Sequence, residues 1–412
     1  MVSFGFKTRE VRPIGLDIGH NSIKMIQLVV HGEQITVLAA DEARIESNSN
    51  SDEQERRKFI ISSIRKMLAR GNFHGKDVVS CLPSGDLKIT SLRLTEAEGE
   101  KAEQILRREV VHRFGLDPDK DAMDYIIAGN VRQGDEIKNE LILFATNNEI
   151  VKSHIDMLEL AGLRPIAIDT IPCALFRSFE RSLRRQEDRE YAVIYIDVGS
   201  CYTTVVFGRS GEICFVKQIK IGAGDFNREL ASKLSISSDE AEILRGELQA
   251  ESGSLMPKSH SAVQRTSESV QKIDASTRQI MIDGISKIAD ELAKEISLCL
   301  RYYTVTFRGR RVERAVLTGG GGYEKILLDV LRRKLTVGIE VAQPLRGFDL
   351  SNERANLNFY GDRRGLLCEW TVAVGLSLKG WHGFKTSEAV VKQEVPMDYE
   401  RRSTVGGHYE RN

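Results

Sequence analysis

Two short stretches of this chain read alike. Ile14-Gly15-Leu16-Asp17-Ile18-Gly19-His20-Asn21-Ser22-Ile23-Lys24 runs apolar strand, aspartate, glycine turn, apolar strand. So does Tyr195-Ile196-Asp197-Val198-Gly199-Ser200-Cys201-Tyr202-Thr203-Thr204. Each is followed by a third strand-like run, 35–40 after His31-Gly32-Glu33 and 212–219 after Gly211. Strand–turn–strand–turn–strand units that recur so far apart indicate a duplicated supersecondary unit. The chain is therefore expected to be α/β, with two similar lobes whose hairpins face each other.

The length of 412 residues gives room for both lobes. Between the hairpins, 52–70 reads as a helix with Phe59, Ile60, Ile64, Met67 and Leu68 on one face and Gly71 at its end. Strands are expected at 78–82, 88–94, 125–129 and 141–145. Thr95-Glu96-Ala97-Glu98 reads as a capping box opening a helix to Phe114. Further helices are expected at 148–161 and 172–183. After the second unit come a polar stretch at 249–276, a long helix at about 277–303, and a strand at 315–317. The latter leads through Thr318 and Gly319-Gly320-Gly321-Gly322 into a helix at 323–335. A helix at 369–378 closes the second lobe, and 384–412 reads as a disordered tail. The domain reading is a first lobe at 12–183 interrupted by a small subdomain at 78–168, and a second lobe at 190–380.

Lys+Arg and Asp+Glu both number 59, which argues against binding nucleic acid by bulk charge. No run approaches the ~18 apolar residues of a membrane span, and the start lacks a signal-peptide core. The six cysteines form no CxxC pair, and the eight histidines form no HExxH. A cytoplasmic protein without zinc chemistry is the expectation.

The hairpins carry chemistry of their own. A small-residue turn presents backbone N–H groups that can wrap a phosphate. An aspartate just before it can hold a hydrated Mg²⁺, which favours one or two carboxylates plus phosphate oxygens. Asp17 and Asp197 are the metal candidates. Gly19, His20, Asn21, Ser22, Gly199, Ser200 and Cys201 are the phosphate candidates, with Lys24 reaching back to add charge. Gly319, Gly320 and Gly321 let a flat ligand approach the backbone at a helix entry. Alone, each element is equally a plain hairpin or a structural glycine turn; their order along one chain makes the pattern specific. A dinucleotide fingerprint is excluded because the first turn leads into a strand, and no Walker A run occurs.

These residues resemble the actin-like ATPases. The two hairpins look like that superfamily's phosphate loops, and 318–322 looks like its adenosine motif. A closer resemblance, over roughly 12–380, is to the PilM family of type IV pilus assembly proteins. It is carried by Leu82-Pro83-Ser84-Gly85-Asp86, Leu92-Arg93-Leu94-Thr95-Glu96, the run from Leu158 to Pro165, Ile219-Lys220-Ile221-Gly222-Ala223-Gly224, and Ser238-Asp239-Glu240-Ala241-Glu242. The resemblance implies an actin-like (ribonuclease-H-like) two-lobed ATPase fold with an FtsA/PilM-type inserted small subdomain, and Mg-ATP in the cleft. It implies that Thr203 joins the second phosphate loop and that Glu242 and Arg245 touch base or ribose. It also implies a partner, the short cytoplasmic N-terminal peptide of a PilN-like membrane protein. The protein would then reach the inner membrane only through that partner, and homo-oligomers stay open.

Two departures matter. The family's Gly-Ser-Ser-Ser turn is Gly19-His20-Asn21-Ser22 here, and Ile171 rather than an acid precedes Pro172. Asp169 is the nearest candidate base, and it doubles as a helix cap. Turnover is therefore expected well below the ~10 s⁻¹ of a median enzyme. Two rivals remain. An FtsA-like divisome filament would carry an amphipathic C-terminal helix, yet Val390, Val391 and Val395 make no apolar face. A small-molecule kinase would need a carboxylate beside an acceptor pocket.

Overall fold

The computed structural model describes residues 9–45, 52–95, 102–180, 191–251, 273–307, 311–351 and 367–381. Most of the polar 249–276 stretch, the tail from 384 and Glu96–Glu98 of the expected capping box lie outside the described residues.

The elements run in this order: β1 (Glu10–Val11), β2 (Ile14–Ile18), β3 (Ser22–His31), β4 (Gln34–Arg44), α1 (Glu53–Arg70), β5 (Asp77–Cys81) and β6 (Lys88–Thr95). Then come α2 (Ala102–Phe114), β7 (Ala122–Gln133), β8 (Glu136–Thr146), α3 (Asn148–Leu160), β9 (Arg164–Asp169) and α4 (Ile171–Glu180). The second half holds β10 (Ala192–Val198), β11 (Thr203–Arg209), β12 (Glu212–Ile219), α5 (Ala223–Leu234), α6 (Ser238–Glu251) and α7 (Ala275–Thr306). It ends with β13 (Val312–Thr318), a 3-10 turn (Gly320–Tyr323), α8 (Lys325–Lys334), β14 (Gly338–Val341), a second 3-10 turn (Cys368–Trp370) and α9 (Thr371–Ser377).

The duplication is visible in the sheets. The first has the order β4-β3-β2-β5-β9, with β1 adding two residues to β3; the second has the order β12-β11-β10-β13-β14. In each, three antiparallel strands are followed by two parallel ones. The paired strands β2 and β10 are central, which is why IGLDI and AVIYIDV are almost wholly apolar. In α7, Met281, Ile285, Ile288, Leu292, Ile296, Cys299 and Tyr303 are buried at spacings of three and four, the stripe of a helix lying on a sheet. Asp274 starts that helix by accepting from the amides of Ser276 and Thr277 at 2.9 Å.

Three expectations are corrected. The inserted subdomain is narrower than 78–168. Strands β5 and β9 pair with each other and β5 with β2, inside the first sheet, because Val78 and Val79 are buried on opposite faces of a central strand. Helix α3 packs on β9 and α1. What remains of the insert is α2 and the antiparallel sheet β6-β8-β7. Second, α9 closes the first lobe, not the second. It packs on β2, β3, β5 and α4, and a Cβ on Gly15 would lie 2.0 Å from the Ala373 carbonyl. Third, Thr95 ends a strand instead of capping a helix: pairing of Thr95 with Lys138 prevails over the local cap.

Candidate functional site

The two hairpin turns are built identically. The Gly19 amide donates to the Ser22 carbonyl at 2.9 Å, and the Gly199 amide to the Tyr202 carbonyl at 3.0 Å. Asp17 stands opposite Lys24 in its ladder, and Asp197 opposite Thr204. The N-terminus of α5 is stitched to the second turn: the Ala223 and Gly224 amides donate to the carbonyls of Gly199 and Ser200, both at 2.8 Å.

Strand β13, parallel to β10, brings Thr318 beside Asp197. The next residue, Gly319, has φ of 80°, and a Cβ there would lie 2.5 Å from Asp197 Oδ1. No other residue permits both that backbone and that approach. The turn is anchored from behind, where the Thr318 hydroxyl donates to the Cys368 carbonyl at 2.7 Å and the Gly319 amide to the same carbonyl at 3.2 Å.

Together these pieces line a cavity of about 1150 Å³ between the lobes. Asp17, Gly19, His20, Asn21, Ser22, Lys24, Asp197, Gly199, Ser200, Cys201, Glu242, Arg245, Gly319, Gly320 and Gly321 all face it. The structure thus assembles in one place residues drawn from three distant parts of the sequence.

Two expected residues are elsewhere. Thr203 is fully buried, and its hydroxyl donates to the Ile221 carbonyl at 2.7 Å, tying β11 to the chain after β12. Asp169 accepts from Arg177 at 2.9 Å and from the Thr170 amide at 2.8 Å, with the Lys379 ammonium at 3.5 Å. Its oxygens are occupied in holding α4 and the chain after α9, and it does not line the cavity.

Electrostatics set the character of the cleft floor. Burial, with some help from the charge of Asp17 and against that of Lys24, pushes Asp197 up to about 7. Burial likewise raises Asp17, Lys24 lowers it, and Glu42 raises it. Burial acts to lower Lys24, but Glu42, Glu369 and Asp17 outweigh it, so its pKa is raised and it stays an ammonium. Its Nζ lies 3.2 Å from Glu42 and donates to Ser22. With Asp17, Asp197, Glu42 and Glu369 around one lysine, the floor lacks positive charge. Among the described residues no three carboxylates, histidines or cysteines stand together as a metal site, so a cation here would rest on Asp17 and Asp197 with oxygens supplied by a ligand.

Several residues at the site were not singled out from the sequence. Glu42 and Glu369 are two; Tyr323 donates its phenol to Glu369 from beneath the glycine turn. Arg56 is a third, its Nη2 donating to the Gly19 carbonyl at 3.0 Å. Nothing in their sequence neighbourhoods marks them, since Glu42 is one polar residue near the end of β4 and Arg56 sits in an ordinary charged helix turn. Glu242 spans the lobes, accepting from Arg44 of β4 and from Asn227 of α5. Arg245 donates to the Ala223 carbonyl at 2.6 Å and pairs with the buried Glu324 at 3.5 Å.

No curated protein matches the chain. A solved structure described as the PilM-PilN type IV pilus biogenesis complex superposes with a TM-score of 0.70, at 19% identity, over 90% of this chain and 98% of that one. The ethanolamine utilization protein EutJ from Carboxydothermus hydrogenoformans aligns with a TM-score of 0.49 at 12% identity, over 91% and 92% of the two chains. MreB5 of Spiroplasma citri bound to ADP gives 0.41 at 12%, over 88% and 94%. The fold is actin-like. The family model for the type IV pilus assembly protein PilM matches residues 15–288, well over half of the chain. This chain belongs to the PilM family of type IV pilus assembly proteins.

Proposed function

We propose that this protein binds Mg-ATP between its lobes and serves as a cytoplasmic platform, held at the inner membrane by a PilN-like partner. The observation that carries the nucleotide reading is the convergence of two like hairpins and a glycine turn on one cavity, with Gly319 against Asp197. The residues fit the ligand. The half-buried pair Asp17 and Asp197 would hold the Mg²⁺ shell, and the bound ion would supply charge neutralisation for the phosphates. The turns at 19–22 and 199–201 offer backbone donors, and Lys24 is kept charged by Glu42. The adenosine lies against Gly319–Gly321, with Glu242 and Arg245 beside it. Asp169, already committed to Arg177 and Lys379, is a poor base, so ATP acts to hold the lobes together rather than to drive a rapid cycle.

The partner reading rests on the inserted subdomain. Its strand β6 is the outer strand of a three-stranded sheet, and beside it a groove of about 420 Å³ is lined by Leu92, Leu94, Ile105, Glu109 and Arg113. An extended peptide recognises such an edge through its main chain and the groove through its side chains. The N-terminal cytoplasmic peptide of a PilN-like protein is the occupant proposed. Among the described residues no helix is long and apolar enough to cross a membrane, which is compatible with attachment through a partner.

Calorimetric titration of Mg-ATP into the wild-type chain and into Asp17→Ala and Asp197→Ala tests the nucleotide reading. Binding in the wild type, and loss of at least tenfold in each variant with the fold retained, is the expected result. Equal affinity in all three would remove the cleft assignment.

A further inference from the structure

Several partly buried arginines of this protein are paired with a carboxylate. Arg93 lies against Glu140, Arg177 against Asp169, and Arg245 against Glu324. Among the described residues Arg56 has no such partner, and its neighbour Arg57 is bonded only to Ser153. Arg56 is half-buried at the first turn of α1 and lines the cleft. Among the described residues it makes one side-chain hydrogen bond, from Nη2 to the Gly19 carbonyl, and no ion pair. Burial lowers its pKa, and no carboxylate is among the groups that act on it. A guanidinium has five N–H donors in a planar fork, so most of this one's capacity is unused.

Its position says what it waits for. The hydrogen bond to Gly19 sets it on the first phosphate-type turn. Cys201 of the second turn lines the same cleft. Partial burial, then the charges of Arg56 and Arg228, hold the pKa of His20 low. Arg228 is already matched by Asp225. Partly desolvated cations without an anion are costly unless a ligand supplies one. Guanidinium groups favour phosphate, which they grip through two parallel hydrogen bonds.

The nucleoside end is built by the second lobe, from Gly319–Gly321, Asn227, Glu242 and Arg245. Helix α1 belongs to the first lobe, beside the tip of the first hairpin. An anion that meets Arg56 is therefore the end of the ligand farthest from the base. We propose that Arg56 binds the terminal phosphate of a nucleoside triphosphate and sets this protein's preference for triphosphate over diphosphate. This rests on the nucleotide reading above and adds to it the residue that senses the γ-phosphate.

The test is a pair of titrations, Mg-ATP and Mg-ADP, into the wild-type chain, Arg56→Gln and Arg56→Lys, with thermal melts of each. Loss of a charge-assisted contact to phosphate predicts roughly 10- to 100-fold weaker ATP binding in Arg56→Gln, with ADP binding changed less than about threefold. Arg56→Lys keeps the charge without the fork and falls between the two; its ATP-to-ADP ratio carries the test if Arg56→Gln melts early. Equal weakening of both nucleotides would make Arg56 a prop for the Gly19 turn and overturn the inference, as would no change in either. A wild-type chain that binds both nucleotides equally also overturns it while leaving nucleotide binding intact. A wild-type chain that binds neither removes the nucleotide reading itself.

Discussion

Replacing Asp197 by asparagine keeps the shape of the side chain and removes its charge, which should stabilise the nucleotide-free protein at neutral pH and above. Burial is the main reason the carboxyl is pushed up to about 7 from 3.8, with Asp17 adding and Lys24 opposing. At 1.36 kcal/mol per unit this gives a ceiling of about 4 kcal/mol. The side chain is partly open to the cleft, and solvent screening reduces the figure to about 2 kcal/mol. The sign follows from linkage. Because the folded-state value is raised, the folded protein keeps a proton that the unfolded chain releases between about pH 4 and pH 7. Stability therefore falls as pH rises through that window, and the loss is complete above about pH 7. Asparagine does not titrate. Asp197→Asn should exceed the wild type by about 2 kcal/mol at pH 8 and match it near pH 4.5, in denaturant unfolding without magnesium or nucleotide. Added Mg-ATP should reverse the order at pH 8, since only the wild type gains from binding. A variant less stable than wild type at pH 8, or a gap that does not change with pH, would refute the claim that the cleft floor is an electrostatic burden.

Gly319→Ala should cost about 2 kcal/mol of stability, from the positive φ and the contact with Asp197, and should weaken Mg-ATP at least tenfold in calorimetry; unchanged affinity would detach the glycine turn from the ligand. In the insert, Ile105→Glu places a charge in the groove beside β6. It should weaken a fluorescently labelled N-terminal peptide of the PilN-like partner at least tenfold by anisotropy while Mg-ATP affinity is retained; unaltered peptide binding would move the partner site elsewhere.

The hairpins were legible because their chemistry is local. A buried strand, one aspartate and a tight glycine turn are encoded in about ten consecutive residues, so Asp17, Asp197 and both turns could be read directly. Gly319 was legible for the same reason, although its contact with Asp197 was not, since that contact is made by parallel pairing of β10 with β13. What escaped reading depends on distance. Glu369 reaches the cleft only because α9 returns to the first lobe, and no local pattern announces which lobe a terminal helix joins. The close fit of Gly15 on Ala373 decides it. The insert was drawn too wide because β5 and β9 look like any other apolar runs until their partners are known. The family resemblance sets Thr203 at the second phosphate loop, but strand alternation points its hydroxyl to Ile221 instead.

The insert has a mechanical consequence that the linear sequence conceals. Its chain leaves and rejoins the first lobe, after β5 and before α3, yet it packs on the second. Strands β6 and β7 lie against β12. Val131 is part of the second lobe's core, and Ile142 and Phe144 share a core with Phe176 and Phe179 of α4 and with Tyr195 and Val216 of the second sheet. Across this contact the Tyr302 phenol of α7 donates to the buried Glu140 at 2.9 Å and Arg93 donates to Thr306 at 3.2 Å, while Arg93 and Glu140 pair with each other inside the insert at 2.8 Å. Each hydrogen bond to a charged group contributes about 1.5–3 kcal/mol, and separating the insert from α7 breaks these two. Rotation of the second lobe away from the first must therefore drag the insert along or pay that cost. A ligand that closes the cleft and a ligand held on the insert would act on the same set of contacts. Whatever free energy one spends in fixing the lobes, the other is spared, and by linkage the effect is equal in both directions.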